Sequence, residues 1–355
     1  MYESNISVEG VIYRYFVKYD RLNELISYTY SGSNDTSINI FIDLYGIYHT
    51  LFSRQYRTIV VDYVSFTSLV INMCAHYRSF FRFIGVSTKI FIISSFNIPQ
   101  DSLALVPEYN NIMVNKLQNK LISEMVELNT GLLELICPYL PDIHFIKTNF
   151  ESSVVMNDIM NREGDIHSLI ITTDLYPLQL TAIRNKVSLI WPIKTLRGDE
   201  SIICPHNMHS EAKFNFWSTV TRKFKNNAST QKLASISPSN LVLLESLNRF
   251  PDRCLPVIFN ISRSIKLISS IIGYDSIKLT PQILFDTISE KEFRNIDTNL
   301  IINRYKTLDI QYQNILYNQS LEPKLLHYEN LEDNNAINMI NDKYFSNNPI
   351  DIFNL

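Results

Sequence analysis

Short apolar runs without polar alternation are the feature that most limits how this chain can fold. These runs are rich in Ile, Val and Phe, and they lie at 38–43, 88–94, 143–148, 167–174 and 187–191. Strands of this kind are covered on both faces, as in parallel sheets. Helical patterns lie between them, notably at 59–83 and 111–137. The alternation predicts an α/β fold with a central, mostly parallel sheet flanked by helices.

The second half of the chain is predicted to be helical. Its helical patterns lie at 210–226, 237–248, 262–272, 280–289 and 296–320. Ser237 and Thr280 each precede a proline, which is typical of an N-cap followed by the first helical residue. We expect four parts along the chain: an N-terminal extension (1–37), an α/β domain (38–210), a helical lobe (211–327) and a loose, polar, Asn-rich tail (328–355).

Charge and cysteine content exclude some classes of function. The chain has 32 basic and 35 acidic residues, a net charge of −3, so no global field attracts a polyanion and nucleic-acid binding would need a local patch. The four cysteines include no CxxC pair, which indicates a reducing compartment. With no apolar run of about 18 residues, no membrane partner is expected. We predict an intracellular protein, in the host cytoplasm if viral, with a virion-associated location left open.

Acidic residues follow several of the predicted strands. Asp43 ends the first strand, within INIFIDLYGIYHTLF, while Glu151 and Asp174 follow later strands and Asp252 follows the 237–248 helix. Ligands of open α/β sheets bind at the carboxyl ends of the strands, and Mg²⁺ or Mn²⁺ prefers oxygen ligands. These acids are therefore candidate metal ligands. Each of the first three also has a structural explanation, because an acid at a helix start caps the helix or is favoured by its dipole.

Several segments, in order, resemble one family of nucleases. They are IFIDLYGIYHTLF (40–52), VPEYNNIMVNK (106–116), NFESSVVM (149–156), IITTDLYPLQL (170–180) and the stretch 237–272. Over roughly residues 38–290 the chain resembles the flap endonuclease and 5′-to-3′ exonuclease family, which is PIN-like, and particularly its phage and bacterial members. The resemblance implies a nuclease-type α/β domain, a helical arch near 105–137, and a degenerate helix-three-turn-helix in the C-terminal lobe.

The departures from the family pattern concern its metal-binding acids. By position, the chain keeps only Asp43, Glu151, Asp174 and Asp252. Other residues occupy the remaining acid positions, namely Ser94, Ser153, Val154, Tyr176 and Arg249. Each replacement removes an anionic ligand, and Arg249 adds a positive charge. Hydrolysis assisted by two metal ions is therefore expected to be impaired.

The nucleic-acid-binding parts of the family pattern are altered too. Asn260, Ile261 and Ser262 stand where the family has a glycine-rich loop that approaches a phosphate, so Asn260 and Ser262 are weak candidate contacts. The arch offers only Lys116 and Lys120. In FNFWSTVTRKFK (214–225) basic residues alternate with aromatic ones, and Arg222, Lys223 and Lys225 either contact nucleic acid or form the solvated edge of an amphipathic helix.

Three weaker patterns have competing explanations. A mixed set of side chains in ICPHNMHSE has zinc-ligand chemistry, but its spacing matches no standard zinc site and favours a surface loop: Cys204, His206, His209 and Glu211. His49 is either a phosphate contact or a hydrogen-bonded structural histidine. The tail ends with Ile350, Asp351, Ile352 and Phe353, which resemble a peptide that docks on bacterial sliding clamps.

The sequence favours one function and leaves a second open. The first is a catalytically inactive relative that acts by binding, as a subunit of a larger, phage-type assembly related to nucleic acids, with weak DNA affinity. The alternative is a weak 5′ nuclease on DNA flaps or single strands. It would use one Mg²⁺ or Mn²⁺ ion held by Asp43, Glu151, Asp174 and Asp252.

Overall fold

The computed structural model describes much of the chain, in separate ranges. They are 15–29, 36–51, 62–95, 105–106, 120–174, 176–192, 201–203, 238–248, 257–271, 277–319 and 334–345. The predicted helix at 210–226 lies outside these ranges. So does Ser237, the predicted N-cap.

A six-stranded sheet forms the centre of the described structure. Its strands are β1 (Ser37–Asp43), β2 (Ser87–Ser95), β3 (Ile143–Thr148), β4 (His167–Ile171), β5 (Val187–Trp191) and β6 (Ser201–Ile203). The order is β3-β2-β1-β4-β5-β6. Strands β1 to β5 pair in parallel, whereas β6 pairs antiparallel with β5 at the edge. The predicted mostly parallel sheet is thus confirmed, with predicted strands at the same places; β6 was not predicted.

The strand order places one end of the sheet at a topological switch point. From β1 the chain adds β2 and β3 on one side, then returns to add β4 and β5 on the other. Connections therefore leave the carboxyl ends of β1 and β4 in opposite directions, which opens a crevice between them. Asp43 is the last residue of β1, so the sequence alone had placed this acid at the crevice.

Helices cover both faces of the sheet. In the first half they are α1 (Tyr19–Thr29), α2 (Leu44–Leu51), α3 (Tyr63–Phe83), α4 (Lys120–Ile136), α5 (Ser152–Glu163) and α6 (Leu178–Ile183). In the second half they are α7 (Leu241–Leu247), α8 (Ile261–Ser269), α9 (Pro281–Thr287), α10 (Thr298–Leu308), α11 (Ile310–Gln319) and α12 (Asn334–Tyr344). No described helix is long and apolar enough to cross a membrane.

Two apolar cores lie on opposite faces of the sheet because successive strand side chains point to opposite sides. Phe41 stacks on Phe91 in one core, which extends into the C-terminal helices. Ile40 and Ile42 lie in the other core with α2, α3 and α4. Each fully buried side chain of this size contributes about 1.5–3 kcal/mol. Burial on both faces explains why the strands lack polar alternation.

Capping residues set several helix bounds. Helix α3 begins at Tyr63 rather than at the predicted 59, because the Asp62 side chain accepts hydrogen bonds from Val64 N (3.2 Å) and Ser65 N (3.1 Å). Thr280 caps α9 as predicted, accepting from Ile283 N at 3.3 Å.

The single helix predicted at 296–320 is wrong. The chain breaks at Asp309, whose backbone is extended (ψ 114°) and whose carboxylate accepts from Gln311 N (2.8 Å) and Tyr312 N (3.2 Å) at the start of α11. Lys278 Nζ lies 2.5 Å from the same carboxylate. In a continuous helix, these two backbone N–H groups would donate to backbone carbonyls. Here they donate to the Asp309 side chain instead, and this breaks the helix.

Part of the segment expected to be a loose tail is helical. Helix α12 covers Asn334–Tyr344, and the following Phe345 is buried (1% exposed) in the core on the α3 side of the sheet. The apolar anchor was hidden among Asn-rich sequence, so composition alone gave the wrong expectation for these residues.

Candidate metal centre

Asp43 lies at the carboxyl end of the central strand with its side chain fully buried. One carboxylate oxygen, Oδ1, accepts a hydrogen bond from Tyr45 N (3.1 Å) at the start of α2. The other, Oδ2, accepts from Thr172 Oγ1 at 2.8 Å. The structural explanation for this acid, a helix cap, is therefore confirmed, and each oxygen still has a lone pair free for a further contact.

The loop after β4 brings a second carboxylate close to Asp43. Thr172 Oγ1 accepts from Asp174 N (2.9 Å) while it donates to Asp43, so one hydroxyl links the two acidic residues. Asp174 is buried, and its Oδ1 accepts from Tyr176 N at 3.3 Å. The predicted strand at 167–174 ends at Ile171 because these side-chain bonds replace strand pairing.

A close backbone approach holds this loop against α2. Thr173 Oγ1 donates to Gly46 O at 3.0 Å, and a Cβ added at Gly46 would lie only 2.8 Å from Thr173 Oγ1 and 2.9 Å from Thr173 N. Only glycine fits at position 46 because a side chain would collide with Thr173. Its backbone φ is not in the left-handed region, so conformational freedom is not the reason. The Tyr15 hydroxyl lies 3.3 Å from Thr173 Oγ1 and is buried. The sequence had no signal for Tyr15, which belongs to the N-terminal extension.

The protonation of Asp43 reflects its burial. Loss of solvation raises its pKa from 3.8 to about 7, and the negative charges of Asp174 and Glu151 add to that rise. Hydrogen bonds from Thr172 and Tyr45 act in the opposite direction. A bound cation would favour the charged form and lower this pKa.

Two buried serines occupy positions where the family pattern has acids. Ser94 lies near the end of β2 and Ser153 in the first turn of α5, and both are fully buried. Neither hydroxyl oxygen has a hydrogen-bond partner among the described residues. Glu151, the residue just before α5, is buried and close enough to influence Asp43. The two serine hydroxyl oxygens are neutral, and a hard cation such as Mg²⁺ prefers oxygen ligands.

The carboxylates do not form a compact cage. Among the described residues, no three His, Cys, Asp or Glu side chains are placed to hold a metal ion together. Asp252 and Arg249 lie outside the described residues. A site of two carboxylates, such as Asp43 and Asp174, is of the size that Mg²⁺ commonly uses, because that ion binds through one or two carboxylates and retains several waters.

Tyr176 stands where the family pattern has a metal-binding acid, and in this structure its role is structural. Its side chain is buried (2% exposed), and its hydroxyl donates to Thr307 O at the end of α10 (3.2 Å). Gln179 makes a second link, donating to Leu308 O (2.8 Å) and accepting from Ile310 N (3.2 Å). The loop that carries Asp174 is thereby bonded to the corner between α10 and α11.

Tyr176→Phe is expected to lower the free energy of unfolding by about 1–2 kcal/mol, because Thr307 O loses a hydrogen bond in a buried place. Denaturant unfolding measures the change. Tyr19→Phe is a matched control, since Tyr19 is 47% exposed and should change stability by less than about 0.5 kcal/mol. Equal stability of the two variants would contradict the structural role.

In the loop predicted to contact a phosphate, the side chains already bond to neighbouring protein groups. Asn260 caps α8, accepting from Arg263 N at 2.9 Å, and Ile261 is buried. Arg263 is bonded to Glu292 (3.0 Å) and lies over the Phe259 ring. These contacts satisfy the helix end internally, and Ser262 lies next to the cap.

The remaining predicted binding residues are not described by the structure. Lys120 begins α4, but its side chain lies outside the description, as does that of His49 in α2. The other predicted residues outside the described ranges are Lys116, Arg222, Lys223, Lys225, Cys204, His206, His209, Glu211 and the clamp-like peptide at 350–353.

No protein-family model and no curated protein sequence matches this chain. The chain is similar in fold to T5 5′-exonuclease. The zinc-bound structure of that enzyme gives a TM-score of 0.47 at 12% identity, over 89% of this chain and 98% of that chain. A T5 protein co-crystallised with metal ions gives 0.44 at 11% over the same shares. Human GEN1 bound to Holliday junction DNA gives 0.42 at 10%, over 87% of this chain and 68% of that one. These matches are similarities of structure at low sequence identity.

Proposed function

We propose that this protein is a nuclease-fold protein that does not hydrolyse nucleic acid by a two-metal mechanism, and that it acts by binding within a larger assembly. One observation carries the proposal. Where a two-ion site needs further acids, the chain has two buried serines and Tyr176, whose hydroxyl bonds to Thr307 O of the helical lobe. Two divalent cations would leave excess positive charge that this ligand set does not balance.

Weak rather than tight DNA binding fits the same picture. The start of α8 is capped by Asn260, and Arg263 is held by Glu292, so neither is prepared to receive a phosphate. An intracellular, reducing location remains part of the proposal. The described thiols Cys74 and Cys137 support it, because both are buried and free.

A second function, one-ion hydrolysis, is favoured by a specific observation. Asp43, Asp174 and Glu151 are close enough for their charges to interact, and the Ser94 and Ser153 hydroxyls have no partner among the described residues. Mg²⁺ or Mn²⁺ held by Asp43 and Asp174 would polarise a phosphodiester and lower the pKa of a bound water. In that case the Thr172 hydroxyl would keep both carboxylates in place.

A cleavage assay distinguishes the two functions. Purified protein is incubated with a 5′-flap substrate and with single-stranded DNA, in Mg²⁺ or Mn²⁺, beside Asp43→Asn as the matched control. We expect no metal-dependent cleavage above that of the Asp43→Asn protein. Cleavage by the natural sequence that Asp43→Asn abolishes would overturn the proposal and support metal-assisted hydrolysis at the Asp43 centre.

A metal titration of folded protein complements the assay. If Asp43 and Asp174 hold one ion, Mn²⁺ at about 100 times its Kd should stabilise the natural sequence by about 2.7 kcal/mol and Asp43→Asn much less. Equal stabilisation of both proteins would place any bound ion elsewhere.

A further inference from the structure

A pocket of about 240 Å³ lies at the edge of the sheet opposite to Asp43. Ser168 and Val187, near the amino ends of β4 and β5, line it together with Ile183, Arg184 and Lys186. At about 3.3 Å per residue along β4, this edge is about 13 Å from Thr172. The pocket is therefore separate from the carboxylate centre.

The guanidinium of Arg184 is held rigidly at this pocket. Its Nε donates to Asn157 Oδ1 (2.8 Å), and its Nη2 donates to Asn157 O (3.1 Å) and to Asn161 Oδ1. All three acceptors are neutral, and both asparagines belong to α5. The Nη1 group makes no hydrogen bond to a described residue. The side chain is thus oriented in advance while part of its donor fork stays available.

Among the described residues, no carboxylate forms an ion pair with Arg184. Burial lowers its pKa, and no acidic group opposes that shift. Asp165 lines the pocket but pairs with Lys186 (2.9 Å), and the nearby Glu163 pairs with Lys89 (2.6 Å). A half-buried, fixed cation without a counter-ion is costly to maintain, and an anion in the pocket would offset that cost.

We propose that this pocket binds a phosphoryl group, as the free phosphate ion or on a small phosphorylated molecule. The two N–H groups of Arg184 Nη1 would donate charge-assisted hydrogen bonds to phosphate oxygens. Asp165 also lines the pocket and offsets the charge of Lys186, so the net positive charge of the lining is that of Arg184. The volume is slightly below the roughly 300–1,000 Å³ of common small-molecule sites. It therefore suits a phosphate ion or a sugar phosphate rather than a dinucleotide.

Calorimetric titration of the full chain with inorganic phosphate and with glucose 6-phosphate tests the proposal. We expect saturable binding to the natural sequence and a loss of about 10- to 100-fold in affinity for Arg184→Gln, as when charge-assisted hydrogen bonds are removed. Arg162→Gln is the matched control. Arg162 lies on α5 but pairs with Asp158, so its replacement should leave the affinity unchanged.

Further variants and ligands settle the remaining outcomes. Arg184→Lys keeps the charge but loses the bonds to Asn157 and Asn161 that orient the donor, so an intermediate affinity is expected even if Arg184→Gln fails to fold. Tighter binding of glucose 6-phosphate than of phosphate identifies a phosphorylated molecule as the ligand, and equal binding identifies the free ion. The proposal is overturned if neither ligand binds the natural sequence at about 10 mM, an affinity weaker than about 3 kcal/mol, or if Arg184→Lys binds as tightly as the natural sequence.

Discussion

Asp43→Asn is expected to raise the free energy of unfolding by about 3–4 kcal/mol near pH 8 and to change it little near pH 4. In the folded protein, burial and the charges of Asp174 and Glu151 raise the pKa of Asp43 from 3.8 to about 7. The folded chain therefore keeps a proton that the unfolded chain releases at lower pH. Asparagine has nearly the same shape and needs no proton to be neutral.

The sign of the pH dependence follows from that raised pKa. Below about pH 4, Asp43 is protonated in both states and costs the folded protein no stability. As the pH rises through about 7, the free energy of unfolding falls, because the unfolded chain binds fewer protons than the folded chain. Unfolding by urea between about pH 4 and pH 8, without divalent cations, measures this slope. The slope should be reduced in Asp43→Asn.

Asp165→Asn serves as the control for this experiment, because Asp165 has an 84% exposed side chain. Its pH profile should follow that of the natural sequence. A profile for Asp43→Asn that is parallel to the natural one would show that Asp43 is charged in the folded protein. Some other group would then have to stabilise that charge.

Gly46→Ala is expected to destabilise the protein by about 1–3 kcal/mol or more. The added Cβ would lie 2.8 Å from Thr173 Oγ1 and 2.9 Å from the Thr173 backbone nitrogen. A backbone atom has no alternative rotamer, so the loop itself must shift. Since Asp174 is the next residue, the shift should also weaken any Mn²⁺ binding at the carboxylate centre.

Gly131→Ala provides a control of opposite sign. Gly131 lies within α4, and a Cβ there would meet no atom within 4 Å. Alanine should stabilise the helix by about 0.5–1 kcal/mol. Thermal or denaturant unfolding of both variants measures the contrast. If Gly46→Ala is as stable as Gly131→Ala, the loop is more tolerant than its geometry indicates.

The sheet could be predicted from the sequence because strands buried on both faces are continuous apolar runs. The runs at 143–148 and 187–191 became strands with the same bounds. The break at Asp309 and the anchoring of Phe345 could not be read in this way. Each depends on contacts with residues distant in the chain, such as Lys278, and local pattern carries no information about them.

The candidate site was predicted in part for a similar reason. Asp43 ends β1, and Asp174 lies three residues after the end of the neighbouring β4. Sheet topology therefore brings them to the same end of the sheet. The roles of Thr172 and Tyr15 were missed, because a threonine in a strand or a tyrosine in an N-terminal extension gives no signal of its own. The orientation of Tyr176 toward Thr307 also depends on the packing of a helix more than 100 residues later in the chain.

The bonds from Tyr176 and Gln179 to the α10–α11 corner limit how the molecule can move. A hinge rotation of the C-terminal helices against the sheet would have to break buried hydrogen bonds at that corner, at roughly 1–3 kcal/mol for each group left unpaired. Any closure around a bound molecule is therefore expected to come from segments on other sides of the crevice, while the α10–α11 corner stays fixed to the sheet.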